Sequence, residues 1–265
     1  MSPRPLPVHL VRLILPALLF FATSCSQPPE TDGNPPAAGF NAAGSDDTAM
    51  AIADETMAAM GGRQAWDNTR YVTWRFFGGR LHVWDKFTNN LRYEDNDLVV
   101  LMNLDTEQGQ AWRAGQAITN AEDLASALSG AKGAWINDSY WLVMPYKLKD
   151  SGVTLTHVGE QANAAGAACD VLQLTFEGVG RTPQNKYHVF VAKDTRLVTE
   201  WTFWPDAAVD ESRSLGVWAN WQKHGDIMLS DSRGDNGHTD VAVLENLPES
   251  VFTDPAAFVL GDHQP

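Results

Sequence analysis

The strictest constraint on this chain is a period of two in its apolar residues, kept through two long blocks and broken once between them. In RYVTWRFF, Val72, Trp74 and Phe76 share one side of an extended chain, against Tyr71, Thr73, Arg75 and Phe77. Successive side chains of a strand point to opposite faces, so this alternation predicts strands with one buried face. Gly78-Gly79 then signals a hairpin. RLHVWDKF continues the pattern with Leu81, Val83 and Phe87 opposite His82, Trp84 and Lys86, and Thr88-Asn89-Asn90 turns the chain. LRYED, LVVLMNL and QAWRA read as further strands, so residues 70–113 are expected to form an antiparallel meander of about five strands.

The period returns after Asp150. Leu172, Leu174 and Phe176 share a face in CDVLQLTF, as do Tyr187, Val189 and Val191 in KYHVFVAK. The same reading groups Leu197, Thr199, Trp201 and Phe203, then Leu215, Val217, Ala219 and Trp221, with a last strand over residues 239–244. About six strands are expected there.

Two stretches are helical instead. Met50, Ala53, Met57 and Met60 recur at helical spacing after the capping run Ser45-Asp46-Asp47-Thr48, and Gly61-Gly62 stops the helix. A longer helix is expected from Asn120 until Pro145, because the residue before a proline avoids the helical region. This second stretch ends in WINDSYWLVMPYKLKD, residues 135–150, four aromatic rings between acidic positions. Ile136, Tyr140, Val143 and Met144 lie along one side, Trp141 widens that apolar sector, and Trp135, Ser139 and Leu142 form a mixed row beside it. The segment is expected to close one side of the sheet, with Tyr140, Trp141 and Met144 turned inward.

The expected fold class is therefore mainly β (α+β): a large curved antiparallel sheet, or unclosed β half-barrel, of about eleven strands covered by helices. At 265 residues and 44% hydrophobic content, residues 49–265 suffice for one domain with a sizeable core. A net charge of −14 gives no basic footprint for nucleic acid, and repels polyphosphates and anionic membrane surfaces.

Residues 1–25, MSPRPLPVHLVRLILPALLFFATSC, carry Arg4 and Arg12 before an apolar run too short to span a bilayer, followed by small residues. This is the profile of an export signal. Ala22-Thr23-Ser24-Cys25 resembles a lipobox, which implies cleavage after residue 24 and a lipid on Cys25. Ser26 in place of an aspartate resembles the outer-membrane version, so the expected location is the cell envelope, lipid-anchored to the outer membrane and facing the periplasm. Residues 25–48, rich in Pro, Gly, Asn and Ser, read as a disordered tether.

No HExxH, phosphate-binding glycine loop or GxSxG elbow occurs, so no catalytic residue is assigned. His224, Asp226, Asp231, Asp235, His238 and Asp240 are ligand types within residues 224–240, but their spacing fits no EF-hand, and they read as a polar hairpin; no metal and no cofactor are assigned. GVGRTPQNKY reads as a turn. Asp85 and Lys86 are strand neighbours pointing apart. Cys169, at the start of an apolar strand, reads as a buried inert thiol.

The ten tryptophans all follow residue 65. Partly closed barrels often hold a ligand, and large apolar walls suit one. The candidate lining comprises Trp74, Phe76, Trp84, Trp112, Tyr140, Trp141, Met144, Trp201, Phe203 and Trp218.

The order of helix, meander, helical insertion and second meander resembles the periplasmic lipoprotein-localisation carriers, the LolA/LolB-like superfamily, across residues 49–260. AMGGRQAW, VWDKFTNNLRYE and WINDSYWLVMPYKLKD look more like an uncharacterised family of bacterial lipoproteins in or near it. The resemblance implies an unclosed barrel under helices, with an apolar cavity for acyl chains. The expectation is thus a monomeric, membrane-anchored lipoprotein that binds a lipid or other hydrophobic molecule non-covalently and is no enzyme. Two alternatives stand beside it: an envelope protein–protein interaction module with a filled interior, and a hydrolase with an unrecognised triad.

Overall fold

The structure, a computed structural model, describes Met1 and residues 33–263. The export signal and Cys25 lie outside the described residues.

Helix α1, Asp47–Ala59, starts where the Asp46 side chain accepts from the Ala49 backbone N–H at 2.7 Å, and ends at Gly61-Gly62. A short α2, Arg63–Asn68, follows. Six strands then run β1 Tyr71–Arg75, β2 Leu81–Asp85, β3 Asn90–Asp95, β4 Leu98–Asn103, β5 Gly109–Arg113 and β6 Gln116–Ala117. Asn120 caps α3, Ala121–Val143, by accepting from the N–H groups of Glu122 and Asp123 at 2.9 and 3.1 Å. Pro145 falls in the 3-10 turn Met144–Lys147 that ends it. Nine strands complete the chain: β7 Val153–Ala162, β8 Ala168–Phe176, β9 Lys186–Ala192, β10 Val198–Trp204, β11 Arg213–Val217, β12 Ala219–His224, β13 Ile227–Arg233, β14 Asn236–Gly237 and β15 Thr239–Leu244.

The fold is mainly β and antiparallel throughout, and its sheets are not closed. Hydrogen bonding divides the strands into three sheets, with orders β15-β1-β2-β3-β4-β5-β6, β11-β10-β9-β8-β7 and β12-β13-β14. The third is tied to the second by the Trp218 N–H donating to the Thr199 carbonyl at 2.8 Å and the Trp221 indole donating to the Val198 carbonyl at 2.9 Å.

The period-two reading fails at two places in the second block. The pairing of β10 with β9 shifts between Val198 and Glu200. That bulge puts Val198 on the core side with Trp201, whereas Thr199 bonds the Phe190 carbonyl on the other face. SLGVWANWQK is not one strand either. It breaks into β11 and β12, and Trp218 at the break turns into the core, 2% exposed.

The core lies between the sheets and the two long helices. Ile52 and Ala53 of α1, Met144, Leu148 and the inward residues of β7 to β10 form one part, around Trp201 and Trp218. A second joins Met57, Met60 and Trp66 to Trp74 of β1, Leu142 of α3 and Ile227 and Leu229 of β13. A third packs the first half of α3 on Leu91, Val100 and Met102 of the first sheet. Cys169 is a free, buried thiol on the far face of the second sheet. Lys86 caps α2 by donating to the carbonyls of Trp66 and Thr69, and burial lowers its pKa to about 8.

Two terminal segments clamp the outside. The described part of the expected tether is ordered by hydrogen bonds that its composition does not reveal. Asn41 N–H donates to the Val153 carbonyl at 3.0 Å and Asp46 N–H to the Leu155 carbonyl at 3.1 Å, so residues 37–46 run along the free edge of β7. The C-terminal segment crosses the outer face of the first sheet, where Val251 and Phe258 cover Leu81 and Val83. Buried Arg92 holds it through the carbonyls of Val251 at 3.1 Å, Asp254 at 2.8 Å, Pro255 at 3.4 Å and Ala256.

Candidate functional site

The second half of α3 forms one wall of a cleft of about 620 Å³. Trp135, Ile136, Ser139 and Tyr140 share a helix face there, with Trp141 at its edge. The loop joining β8 to β9, residues 177–185, forms the facing wall, and Val153, Phe176 and Tyr187 supply strand residues.

Two glycines let this loop approach. Gly152 has φ +72°, and a Cβ there would meet the Glu177 carbonyl oxygen at 2.5 Å and Val179 at 2.6 Å. A Cβ on Gly133 would meet the Arg181 guanidinium at 2.4 Å. The loop is held by the Glu177 N–H donating to the Gly152 carbonyl at 2.9 Å, the Ala207 N–H donating to the Gln184 carbonyl at 2.7 Å and the Asn185 amide donating to the Thr182 hydroxyl at 2.7 Å.

Beneath the cleft the rings are continuous. Tyr140 lies 5.7 Å from Tyr187 and 5.9 Å from Trp201, Trp141 meets Trp201 edge-on at 5.0 Å, and Trp201 meets Trp218 edge-on at 5.2 Å. Such edge-on and offset contacts are the favoured arrangements. Burial drives the Tyr140 hydroxyl well above its ordinary pKa and raises that of Tyr187, so both stay protonated as hydrogen-bonding handles.

The helix that carries these rings is fixed by two buried polar groups. On one side Asp138, wholly buried, accepts two bonds from Arg80, each 2.8 Å, and lies 2.8 Å from His82 Nε2. Burial pushes the Asp138 carboxyl up, but the hydrogen bonds from His82, Arg80 and Asn137 outweigh it and hold the pKa below its ordinary value. Burial lowers the pKa of His82, so the neutral ring donates from Nε2 to the ionised Asp138. On the other side Arg233, 5% exposed, donates to the Trp141 carbonyl and stacks 3.7 Å over the Trp218 ring. His238 Nε2 lies 3.3 Å from the same carbonyl. Both groups sit at the carbonyl end of α3, whose last C=O groups have no intrahelical partner and carry the negative end of the helix dipole. Arg233 is thus a buried cap with no ion-paired carboxylate among the described residues, and burial lowers its pKa to about 9.

Of the residues expected to line a cavity, Tyr140 and Trp141 are in the cleft wall. Phe203 stands beside Tyr187 at 5.2 Å, and Phe76 meets Trp141 edge-on at 6.2 Å. Trp74, Met144, Trp201 and Trp218 are core, each at most 2% exposed. Trp84 packs edge-on against Trp135 at 5.2 Å. Trp112 pairs with Val99 and faces away from α3, because a one-residue step in a strand reverses the face. Sequence reasoning missed Trp135, Ile136, Ser139, Phe176, Tyr187 and the whole of loop 177–185. Helical spacing already placed Ile136 beside Tyr140, whereas nothing local marks the loop.

The polar segment 224–240 is not wholly a solvated hairpin, since Arg233 and His238 are buried within it. Among the described residues no group of three or more His, Cys, Asp or Glu is placed to hold a metal ion, and no histidine is hydrogen-bonded to a serine, threonine or cysteine.

No family model matches this chain, and no curated protein matches it. Among solved structures, the chain is similar to a DUF1329 family protein from Desulfovibrio piger, with 15% sequence identity over 78% of this chain and 98% of that one and a TM-score of 0.40, a likeness too distant to carry an argument about the site.

Proposed function

We propose that this protein is an outer-membrane lipoprotein, anchored through Cys25 and facing the periplasm, that binds a hydrophobic molecule non-covalently in the cleft between α3 and loop 177–185. The observation that carries the reading is the cleft itself. Its volume of about 620 Å³ falls in the range of small-molecule sites, roughly 300–1,000 Å³. Its wall combines aromatic and aliphatic side chains with a few hydroxyl and amide groups and three charged residues. The space between the sheets is filled by Trp74, Trp201, Trp218 and Met144, so the ligand lies beside the core. No helix among the described residues is long and apolar enough to cross a membrane, and the lipid on Cys25 is the proposed anchor.

The test is binding of a fluorescent fatty-acid probe. Trp141→Ala is expected to weaken binding while the protein stays folded at 25 °C. Ile136→Trp, which fills the cleft from the same helix face, is expected to abolish it. A wild type that binds no apolar probe removes this reading. The filled interior would then favour a protein-docking module. The anchor is tested separately by Cys25→Ser, which is expected to leave the membrane fraction; a wild type that fractionates as soluble protein rejects the anchor alone.

A further inference from the structure

We infer that the cleft selects amphiphiles with one anionic head, a carboxylate or phosphate, and that Arg181 is the residue that reads it. The inference rests on the cleft-binding reading above. Three charged residues line the cleft, Lys147, Asp150 and Arg181. Lys147 and Asp150 form an ion pair and neutralise each other. Arg181 has no acidic partner among the described residues; its one hydrogen bond is a long one, 3.4 Å from Nη2 to the Ser129 carbonyl.

Arg181 is exposed, and Arg213 and Arg233 also have no ion pair among the described residues, but Arg233 serves the Trp141 carbonyl and Arg213 does not line the cleft. Arg181 is therefore the one cation of the cleft that no carboxylate neutralises. Its placement is built as well. Gly133 occupies the interior of α3, where glycine costs about 1 kcal/mol relative to alanine. The absent Cβ leaves room for the Arg181 guanidinium to lie on the helix surface. The planar fork of a guanidinium matches a carboxylate or phosphate with two parallel hydrogen bonds. Gly133 and Tyr140 are seven residues apart on α3, about 10 Å of helix rise, so the cationic end of the cleft is separated from its aromatic end. An elongated ligand lying along α3 places its head at Arg181 and its apolar body against Tyr140, Phe176 and Val153. The overall negative charge of the protein repels free anions, and the local cation therefore serves only ligands that also bury an apolar body.

The experiment compares dodecanoate, dodecyl phosphate and dodecanol below their micelle-forming concentrations, with inorganic phosphate alone as the free-anion arm. The full chain is titrated and the fluorescence of the wall tryptophans is read. Dodecanoate and dodecyl phosphate are expected to bind about tenfold or more tighter than dodecanol, the size of one charge-assisted hydrogen-bonded contact, and inorganic phosphate is expected not to bind. Arg181→Gln is expected to remove the preference by lowering affinity for the anionic chains, while dodecanol affinity changes little. Arg181→Lys, which keeps the charge and loses the fork, is expected to restore only part of it. Equal binding of the anionic and neutral chains by the wild type, or a preference that survives Arg181→Gln, overturns the inference and leaves the cleft reading intact. Binding of inorganic phosphate alone overturns the requirement for an apolar body. Binding of none of the chains sinks the cleft reading and this inference with it.

Discussion

His238 shows how one buried ring makes the whole molecule sensitive to acid. It is 4% exposed; burial first, and the neighbouring Arg233 second, lower its pKa to about 4 from an ordinary 6.5, with Asp138 and the Trp141 carbonyl opposing. The folded protein therefore disfavours the charged ring that the unfolded chain accepts. The stability held by the neutral ring is full above pH 6.5 and is lost as pH falls from 6.5 towards 4, by at most about 3 kcal/mol. His82, also buried and lowered, adds in the same direction, whereas the contribution of Asp138 fades only below its ordinary 3.8. Urea unfolding midpoints are expected to drop between pH 7 and pH 5, and His238→Asn is expected to flatten that slope. A slope unchanged by the substitution would remove His238 as its source. None of this was visible in the letters HGDIMLSDSRGDNGHTD, whose composition says solvent. Burial of Arg233 and His238 is imposed by the carbonyl end of a helix some ninety residues earlier in the chain.

At the scale of elements, what is set locally was legible and what is set by distant partners was not. The N-cap of α1 within residues 45–48, its glycine stop and the start of α3 at Asn120 follow from neighbouring residues and agree with the sequence reading. The end of α3 differs: the helix stops at Val143, and Met144, directly before Pro145, keeps helical angles (φ −50°, ψ −40°), so the proline lies in a 3-10 turn and does not force its predecessor out of the helical region. The bulge at Val198 and the break at Trp218 are fixed by strands on either side, so alternation alone misplaced Thr199 and joined β11 and β12 into one strand. Trp112 was misread for the same reason, since only the register of β4 and β5 decides its face. Tyr140 and Trp141 were legible because they sit in an apolar sector wider than one stripe. Loop 177–185 was not, because its position depends on two glycines that lie elsewhere. Those glycines differ in consequence. Gly152→Ala puts a Cβ against backbone at a positive φ and is expected to cost roughly 1–3 kcal/mol, read as a lower thermal midpoint, and to open the cleft. Gly133→Ala meets only the mobile tip of Arg181 and improves helix propensity, so its thermal midpoint is expected to hold or rise. Equal losses from both would show that the loop is not seated as described.

At the scale of the whole molecule, the three sheets share one interior, and α3 connects them. Its first half packs on the first sheet, and its second half meets Trp201 of the second and Arg233 of the third. The outside of the first sheet depends on the C-terminal segment and on Arg92. Arg92→Met keeps the length of the side chain and removes the five donors, leaving the carbonyls it served without a partner. It is expected to destabilise the domain by about 2–4 kcal/mol and to make residues 247–260 an early site of limited proteolysis. Retained protease resistance would show that Val251 and Phe258 suffice to hold the segment. The grip also has a consequence for mutational tolerance. Arg92 bonds main-chain oxygens of residues 251–256 and no side chain there, so it does not distinguish one residue type from another. A point change at Ala256 leaves the same oxygens in place, whereas the Asp254 carboxylate accepts from the Ala256 N–H at 2.8 Å and helps hold the turn. Removing or inserting one residue shifts every oxygen at once. Outside Val251, Phe252 and Asp254, whose side chains pack or hold the turn, this stretch is thus free in spelling and rigid in length, and substitutions at Ala256 are expected to survive where single-residue deletions do not.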